Sequence, residues 1–380
     1  MDNHSSLHCR SRLGLARVGT REFEESNRPF WQYDVRTQCC YGTILESSNM
    51  ALMNVQRMRD GIRQFTRRQL AATAASALPV PTPPAIRTDL LSTLGGDLYA
   101  SRPQSPEELR FPQNENCELL LSSLCRAEQL ESPAFRYWAR RLNEKWRLHR
   151  KLWEFCFICQ ALYERDLLIP DARGLGFAVG QEPLPSLFAA FGCHILATDL
   201  PDGDPGVTDW ADGGQWAVGL ESLNKRGLCD EKSFAEHVTF AGVNMNQIPK
   251  DLGGFDFTWS SCSFEHCGNL ELGHRFLINQ MQCLRPGGVA VHTTEFNLTS
   301  DEHTLSEGQT VIFRRRDIEL MVRELKSSGH RVEPIDLSLG NHPLDRHVDV
   351  PPYSSDRHLR LHLGDWVTTS IGLIITKADA

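Results

Sequence analysis

The spacing of apolar residues divides the chain into regions of different texture. From Pro133 to about Arg165, apolar residues recur at steps of three or four, which places them on one face of a helix. After Pro170, short apolar β-type runs alternate with helical stretches, as in a parallel sheet with crossover helices. The pattern therefore predicts a long amphipathic helix at 131–166, followed by an α/β domain at 167–380.

Seven strands are predicted in this α/β domain. The last two are separated by a long loop instead of a helix, which predicts an open, mostly parallel sheet with an antiparallel last strand. The predicted strands are Arg173–Phe177, His194–Thr198, Val238–Gly242, Phe255–Ser260, Gly288–Thr294, Val332–Leu337 and Thr369–Thr376.

The first 130 residues have a weaker pattern. Residues 1–40 show no sustained periodicity and are predicted to be disordered, whereas 41–130 is predicted to be a helical extension. The run Pro-Val-Pro-Thr-Pro-Pro at 79–84 can form neither a helix nor a central strand, because proline lacks the backbone N–H. We therefore expect a linker at 79–84.

Charge and composition narrow the classes of partner. The net charge of -8 argues against a dedicated nucleic-acid binder, since neutralising phosphates requires a basic face. No apolar run approaches the length of about 18 residues that a membrane-spanning helix needs. Twelve cysteines without an export signal predict reduced thiols in a cytoplasmic protein. The Cys156–Cys159 pair lies among apolar residues, so we favour core packing over redox or metal chemistry.

A series of small residues begins in the first predicted strand and continues into the loop after it. Gly174, Gly176, Ala178 and Gly180 alternate with larger residues and lead into a helix near Pro185. Small residues let the backbone approach a ligand closely, and a following helix N-terminus offers free N–H groups. A tight strand-to-helix connection without a ligand is an equally good interpretation of this loop alone.

An acidic residue ends the second predicted strand. Asp199 lies 19 residues after Gly180, at the place where a carboxylate can hold a ribose diol through two hydrogen bonds. Together, the loop and Asp199 predict an adenosine-containing cofactor. They leave open both dinucleotide oxidoreductases and methyltransferases.

The region around the fourth and fifth predicted strands separates these two classes. Glu265-His266 follows the fourth strand, and the turn Leu-Arg-Pro-Gly-Gly at 284–288 precedes the fifth. In combination these motifs resemble class I S-adenosylmethionine-dependent methyltransferases, over about 168–377. The segments around Gly176 and Trp259 look similar to bacterial methyltransferases associated with surface-glycan biosynthesis. A Tyr-x-x-x-Lys pair, which short-chain dehydrogenases need, is missing.

The resemblance implies a Rossmann-like fold and a site for S-adenosyl-L-methionine. Gly176 and Gly180 would line its methionine part, Asp199 would bind the ribose hydroxyls, and Leu200 would lie beside the adenine. Asn244 falls where the family places an acidic residue near the adenine amino group. The candidate cofactor-binding residues are Gly174, Gly176, Ala178, Gly180, Asp199, Leu200, Asn244, Met245 and Ser260.

The chain departs from the family pattern at three of these positions. Gly174 stands where the family has an acidic residue, Ala178 replaces the middle glycine of the loop, and Asn244 replaces an aspartate. An amide oxygen can still accept an N–H from adenine. Glu182 is the candidate for the missing acidic role, through contact with the methionine amino group.

Methyl transfer needs alignment of the reactants more than covalent help. A hydroxyl nucleophile benefits from a general base, and histidine suits this role near neutral pH. His266 is the first catalytic candidate because it lies just past the fourth strand, at the carboxyl edge of the sheet. His292 and Glu295, at the end of the fifth strand, form a second candidate pair. Plain packing roles are the alternative for all three.

One further segment is rich in histidine and aspartate. The stretch 341–349 matches no standard zinc spacing, so no metal is predicted and a loop facing the acceptor is preferred. The leading hypothesis is methyl transfer to a hydroxyl of a small-molecule or saccharide acceptor. The alternatives are an NAD(P)-dependent oxidoreductase and a non-catalytic binding protein with a degenerate methyltransferase domain.

Overall fold

The computed structural model describes residues 119–204, 206–207, 215–217 and 219–379. The predicted disorder at 1–40, the linker at 79–84 and the helical extension as far as residue 118 lie outside the described residues. No helix of the described ranges combines the length and the apolar character that crossing a lipid bilayer would require.

A mixed sheet forms the centre of the described part. Its strands are β1 (Ser122–Leu124), β3 (Arg173–Gly176), β4 (His194–Asp199), β5 (Val238–Gly242), β6 (Phe255–Ser261), β7 (Leu284–Asn297), β8 (Arg331–Val332), β9 (Ile335–Asp336), β10 (Val348–Asp349), β12 (Arg360–Leu363) and β13 (Trp366–Thr376). Two short strands, β2 (Leu148–His149) and β11 (Arg357–His358), pair with each other in a separate parallel ladder.

The strand order confirms the predicted Rossmann-like α/β class with an antiparallel last strand. The main path runs β10-β12-β13-β7-β6-β3-β4-β5. Strands β5, β4, β3, β6 and β7 are mutually parallel, and β13 pairs antiparallel to β7. The chain goes outward from β3 to β4 and β5, then returns to β6 on the other side of β3. Ligands of open α/β sheets bind at the carboxyl ends of the strands where the order reverses in this way.

One predicted strand is divided in the structure. The segment predicted as a single strand, Val332–Leu337, forms β8, which pairs with β13, and β9, which pairs with β1. Pro334 lies between the two and cannot donate to a ladder, which explains the interruption. Because β1 also pairs with β13, the domain begins well before the predicted boundary at 167.

Helices cover both faces of the sheet. They are α1 (Ala127–Glu131), α2 (Pro133–Arg141), α3 (Arg150–Tyr163), α4 (Leu184–Ala190), α5 (Glu231–His237), α6 (Leu270–Asn279) and α7 (Arg315–Ser327). Helix α3 packs on β7 and β13, and α4 packs on β4.

The segment predicted as one helix, 131–166, forms two helices instead. Asn143 adopts a left-handed backbone conformation (φ +51°), which asparagine tolerates better than most residues, and the helical path ends there. Helix α3 then begins at Arg150, after the N-cap residue His149, whose Nδ1 accepts the N–H of Lys151 at 3.1 Å. Apolar spacing does not reveal this break because both helices turn their apolar residues towards one core.

The two faces of the sheet alternate along each strand and build two cores. Phe257 and Trp259 pack with α2, α3 and α4, whereas Leu175 and Phe177 pack with α6 and α7. Cys156 and Cys159 in α3 are fully buried free cysteines within the first core, as the packing interpretation predicts.

The Pro-Gly-Gly turn lies at the base of β7, as the sequence predicts. Phe255 pairs with Leu284 and Phe257 with Val289, so residues 285–288 bulge out of the ladder. Gly287 has a φ of +70°, a conformation that glycine adopts without strain. The carboxyl ends of β6 and β7 thus project side by side on the opposite edge of the sheet.

Candidate active site

A pocket opens at the carboxyl ends of β3, β4, β5 and β6. This is the edge where the strand order reverses, which is where ligands of open α/β sheets bind. The predicted site residues that line the pocket are Ala178, Gly180, Asp199, Leu200, Asn244, Met245 and His266.

Two predicted glycines lie inside the sheet instead of in the pocket. A Cβ at Gly174 would lie 2.4 Å from Cζ of Phe257, and one at Gly176 would lie 2.4 Å from the Trp259 ring. Both glycines therefore make room for aromatic packing, and neither is among the residues that line the pocket. The same crowding leaves no room for a larger side chain at Gly174.

Three N–H groups of the loop after β3 are hydrogen-bonded within the protein. Phe177 donates to the Trp259 carbonyl at 2.9 Å, and Val179 donates to the Thr198 carbonyl at 3.0 Å. Gly180 donates to the Asp199 carboxylate at 3.1 Å. We expected a helix N-terminus with free N–H groups, but α4 begins between Pro183 and Pro185, which have none.

Ala178 in this loop has an unusual backbone. Its φ is +46°, in the left-handed region that glycine prefers. Cys262, which faces it across the pocket, has the same φ of +46° and donates its N–H to the Thr293 carbonyl at 3.1 Å. Uncommon backbone conformations of non-glycine residues are typical of functional sites.

Asp199 lies at the end of β4 with its carboxylate largely occupied. Its Oδ2 accepts the N–H groups of Gly180 and Ala217, and its Oδ1 accepts the N–H of Leu200 at 2.8 Å. Two carboxylate oxygens offer about four acceptor positions, so about one is left, on Oδ1. This geometry supports one hydrogen bond to a ribose hydroxyl instead of the expected pair. Burial raises the pKa of Asp199 despite the three N–H donors.

The far end of the pocket beyond Asp199 is suited to a flat apolar ring. Leu200, Val243 and Met245 line it with aliphatic and thioether surface. Asn244 donates from Nδ2 to Asp204 at 3.0 Å and accepts the Asn246 N–H on Oδ1 at 2.8 Å. An amide oxygen has two lone pairs, so Oδ1 keeps one for a ligand donor.

Glu182 is buried at the opposite end of the pocket. It is 3% exposed and accepts the indole N–H of Trp259 at 2.6 Å on Oε1. Burial raises its pKa to about 8, against the opposing effects of the Trp259 hydrogen bond and the charge of Lys151. The Glu182 carboxyl is therefore mostly protonated at neutral pH.

Lys151 and Phe155 line the pocket from α3, and the sequence did not mark either as a site residue. Lys151 Nζ donates to Glu154 Oε2 at 3.1 Å. Burial disfavours its charge, but Cys262 and Glu154 raise the pKa of Lys151 above its ordinary value. Lys151 therefore brings a fixed positive charge to the pocket. The sequence pattern did not indicate this position of Lys151, because its partner Glu154 is buried and does not belong to the exposed charged face of the helix.

His266 follows β6 and lines the pocket with a largely buried ring. Its Nδ1 lies 2.7 Å from the Gln309 carbonyl, which can only accept, so Nδ1 carries the proton. The lone pair of the neutral ring is then on Nε2, 3.8 Å from a Glu265 carboxyl oxygen. Burial lowers the pKa of His266 to about 4. The ring is therefore neutral across the physiological range, with the tautomer that a general base needs.

The structure places Ser260 and His292 inside the protein, away from the pocket. Ser260 Oγ lies 2.8 Å from His292 Nδ1, and both residues are fully buried. Phe264 and Phe276 pack edge-on against the imidazole. Burial lowers the pKa of His292 to about 3, so it stays neutral. Alternation along β6 and β7 turns both side chains into the core, which explains why neither contacts a ligand.

Glu295 is also buried and holds a cation of the protein. Its Oε2 lies 2.6 Å from Arg150 Nη1. Glu295, Glu265 and Cys262 place their ligand atoms within 4.8 Å of one another. Because the guanidinium of Arg150 already neutralises Glu295, this group is better described as a buried ion pair than as a metal site. The predicted catalytic contact of Glu295 with an acceptor is not what the structure shows.

The histidine- and aspartate-rich stretch 341–349 contributes nothing to the pocket lining in the described residues. Asp345 accepts the N–H of Ala127 at 2.9 Å, and Asp349 lies 2.7 Å from Nδ1 of His358. These contacts attach the loop to the N-terminal end of the domain. The expectation of an acceptor-facing loop is therefore replaced by a structural role.

Comparisons with known proteins give weak similarities. No protein-family profile and no curated protein matches the chain. A 1,6-didemethyltoxoflavin-N1-methyltransferase from Burkholderia thailandensis is similar over 58% of this chain and 76% of its own, at 14% identity and a TM-score of 0.33.

Two other solved structures give similar values. An S-adenosylmethionine-dependent methyltransferase from Clostridium acetobutylicum covers 58% of this chain and 89% of its own, at 13% identity and a TM-score of 0.33. The [4+2]-cyclase SpnF covers 58% and 83%, at 16% identity and a TM-score of 0.36. Similarity at this level does not establish what the chain does, because one fold hosts unrelated activities.

Proposed function

We propose that the chain transfers the methyl group of S-adenosyl-L-methionine to an oxygen of a small-molecule acceptor. The observation that carries the proposal is the hydrogen bonding of the loop after β3. Phe177, Val179 and Gly180 donate their N–H groups to protein acceptors, and α4 starts between two prolines. A pyrophosphate needs free N–H groups at this place. The pocket therefore suits an adenosine cofactor without phosphates better than a dinucleotide.

The residues of the pocket fit such a cofactor along its length. Asp199 keeps an acceptor position for a ribose hydroxyl, and Met245 and Val243 offer apolar surface beside an adenine. At the other end, Glu182 is placed to accept an ammonium in the role of the acid that Gly174 lacks. These features support an adenosine that carries an amino-acid group.

His266 is proposed as the general base. Bound S-adenosylmethionine would supply an electrophilic methyl group for an acceptor oxygen. The Gln309 carbonyl fixes the proton on Nδ1 of His266, which leaves Nε2 to take the proton of an acceptor hydroxyl. A neutral imidazole with a depressed pKa is available for this transfer at neutral pH.

The acceptor is proposed to be a small molecule, with a saccharide as one member of that class. The only support for a saccharide is the sequence resemblance around Gly176 and Trp259. In the structure both residues pack in the core, so neither can contact an acceptor. The support for a compact acceptor is that the candidate base His266 lines the same pocket as the residues proposed to hold the cofactor.

Ligand binding tests the cofactor class. We expect S-adenosylhomocysteine to raise the melting temperature of the purified protein and NADH to leave it unchanged. Asp199→Ala is expected to weaken S-adenosylhomocysteine binding in isothermal titration. Protection by NADH alone would support the oxidoreductase alternative and refute the proposal.

Turnover tests the assignment of His266. With labelled S-adenosylmethionine and a panel of hydroxylated metabolites and saccharides, His266→Ala is expected to lose roughly 100-fold or more in turnover. Its affinity for S-adenosylhomocysteine should stay unchanged. Normal turnover in the variant would remove His266 from the mechanism. Absence of methyl transfer to any fraction would favour a non-catalytic binding protein.

A further inference from the structure

Lys151 has donors that the protein does not use. Its ammonium carries three N–H bonds, and Glu154 is its single side-chain hydrogen-bond acceptor in the described ranges. The side chain is 13% exposed and lines the pocket. Because the raised pKa keeps Lys151 protonated, the two remaining donors suit an anionic group in the pocket, and Lys151 cannot serve as a base.

Glu182 and Lys151 both lie on the β6 side of the pocket. Glu182 accepts the indole N–H of Trp259 in β6, and Glu154, the partner of Lys151, accepts from Ser261 and Cys262 at the end of β6. A cationic donor and an acid thus line the same side of the pocket, away from the apolar residues that follow β4 and β5.

We propose that Lys151 and Glu182 together bind an α-amino acid group, Lys151 at its carboxylate and Glu182 at its ammonium. The inference rests on the proposed function, in which this group is the methionyl part of the cofactor. It assigns the carboxylate to a residue from the helix before the first parallel strand, outside the region of sequence resemblance.

The electrostatics of the pocket favour this pairing. A buried acid without a cationic partner stays protonated, and a buried ammonium with one acceptor leaves two donors unsatisfied. A zwitterion supplies the opposite charge to each group while adding no net charge to the pocket. Charge-assisted hydrogen bonds of this kind are roughly twice as strong as neutral ones.

Truncated ligands separate the two contacts. S-adenosylhomocysteine has both charged groups, decarboxylated S-adenosylmethionine keeps only the amine, and 5′-methylthioadenosine has neither. In isothermal titration, we expect Lys151→Met to lose about 10- to 100-fold in affinity for S-adenosylhomocysteine. Its affinities for the other two ligands should stay within about twofold. Glu182→Gln is expected to weaken both amine-bearing ligands and to spare methylthioadenosine.

One control and one replacement variant accompany the test. Lys232→Met removes an exposed lysine from α5 and should change no affinity. Lys151→Gln keeps a donor for Glu154 and serves if Lys151→Met does not fold.

Two outcomes are decisive against the proposal. Equal loss for all three ligands, or no loss for any, in the folded Lys151 variant would overturn the proposed binding of the amino acid group by Lys151 and Glu182. The methyltransferase proposal would still stand in that case. If the wild-type protein binds none of the three ligands, both proposals fail.

Discussion

The burial of Glu182 makes a measurable prediction about stability. The pKa of Glu182 rises from its ordinary value of 4.5 to about 8, chiefly because the carboxyl is buried. Between these two pH values the native protein keeps a proton that the unfolded chain releases. The stability contributed by the neutral carboxyl is therefore present below pH 4.5 and is lost as the pH rises to about 8.

Glu182→Gln isolates this effect. The amide oxygen can still accept the Trp259 N–H, but the side chain cannot ionise. One pKa unit corresponds to about 1.36 kcal/mol, so the rise amounts to about 5 kcal/mol. We expect the variant to gain this much in unfolding free energy relative to wild type between about pH 4 and pH 9.

Urea denaturation from pH 4 to pH 9 provides the measurement. The neighbouring charges of Lys151, Asp199 and Glu154 are present in both proteins, so the difference between the two curves reports Glu182 alone. Glu236→Gln, at an exposed position on α5, is the matched control and should follow wild type. Parallel curves for wild type and Glu182→Gln would show that the carboxyl is ionised in the free protein and would refute the reasoning.

Three further substitutions test the packing around the site. Gly174→Ala would place a Cβ 2.4 Å from Cζ of Phe257 and should lower the unfolding free energy by about 1–3 kcal/mol in urea; unchanged stability would show that the ring can move aside. Ala178→Gly should gain about 1 kcal/mol, seen as a higher melting temperature, because the φ of +46° costs alanine more than glycine; a lower melting temperature would contradict this. Arg150→Met leaves the buried Glu295 carboxylate unpaired and should cost about 3–5 kcal/mol in urea denaturation, which Arg150→Met with Glu295→Leu should largely recover.

Periodicity and turn motifs predicted the central sheet because each of its strands is a short apolar run. Val238–Gly242 is found with the predicted bounds, and the bulge at 285–288 lies where the Pro-Gly-Gly motif predicts a turn. The break at Asn143 was not predicted, because one asparagine is a weak signal when the apolar spacing continues on both sides of it. The added strand β1 was missed because three residues carry no periodic signal.

The predicted residues line the pocket where the backbone direction decides their position, and lie away from it where side-chain orientation decides. Asp199 and His266 follow strands whose carboxyl ends line the pocket, so topology alone places them. Ser260 and His292 lie at the same edge but point to the other face, and one residue of register makes that difference. The sequence did not indicate Lys151, because its position at the pocket depends on how α3 packs against the ends of the strands.

Glu295, the acid predicted as a site residue at the fifth strand, and Glu154 in α3 both form buried ion pairs. Glu295 binds Arg150, and Glu154 binds Lys151, so two successive residues at the start of α3 are each neutralised by a buried carboxylate. The first pair lies outside the pocket lining and fixes the end of α3 on the sheet. The second pair directs an ammonium into the pocket while satisfying one of its three donors. Under the proposed function, cofactor binding then involves the two remaining donors of Lys151, and proton transfer involves the imidazole of His266.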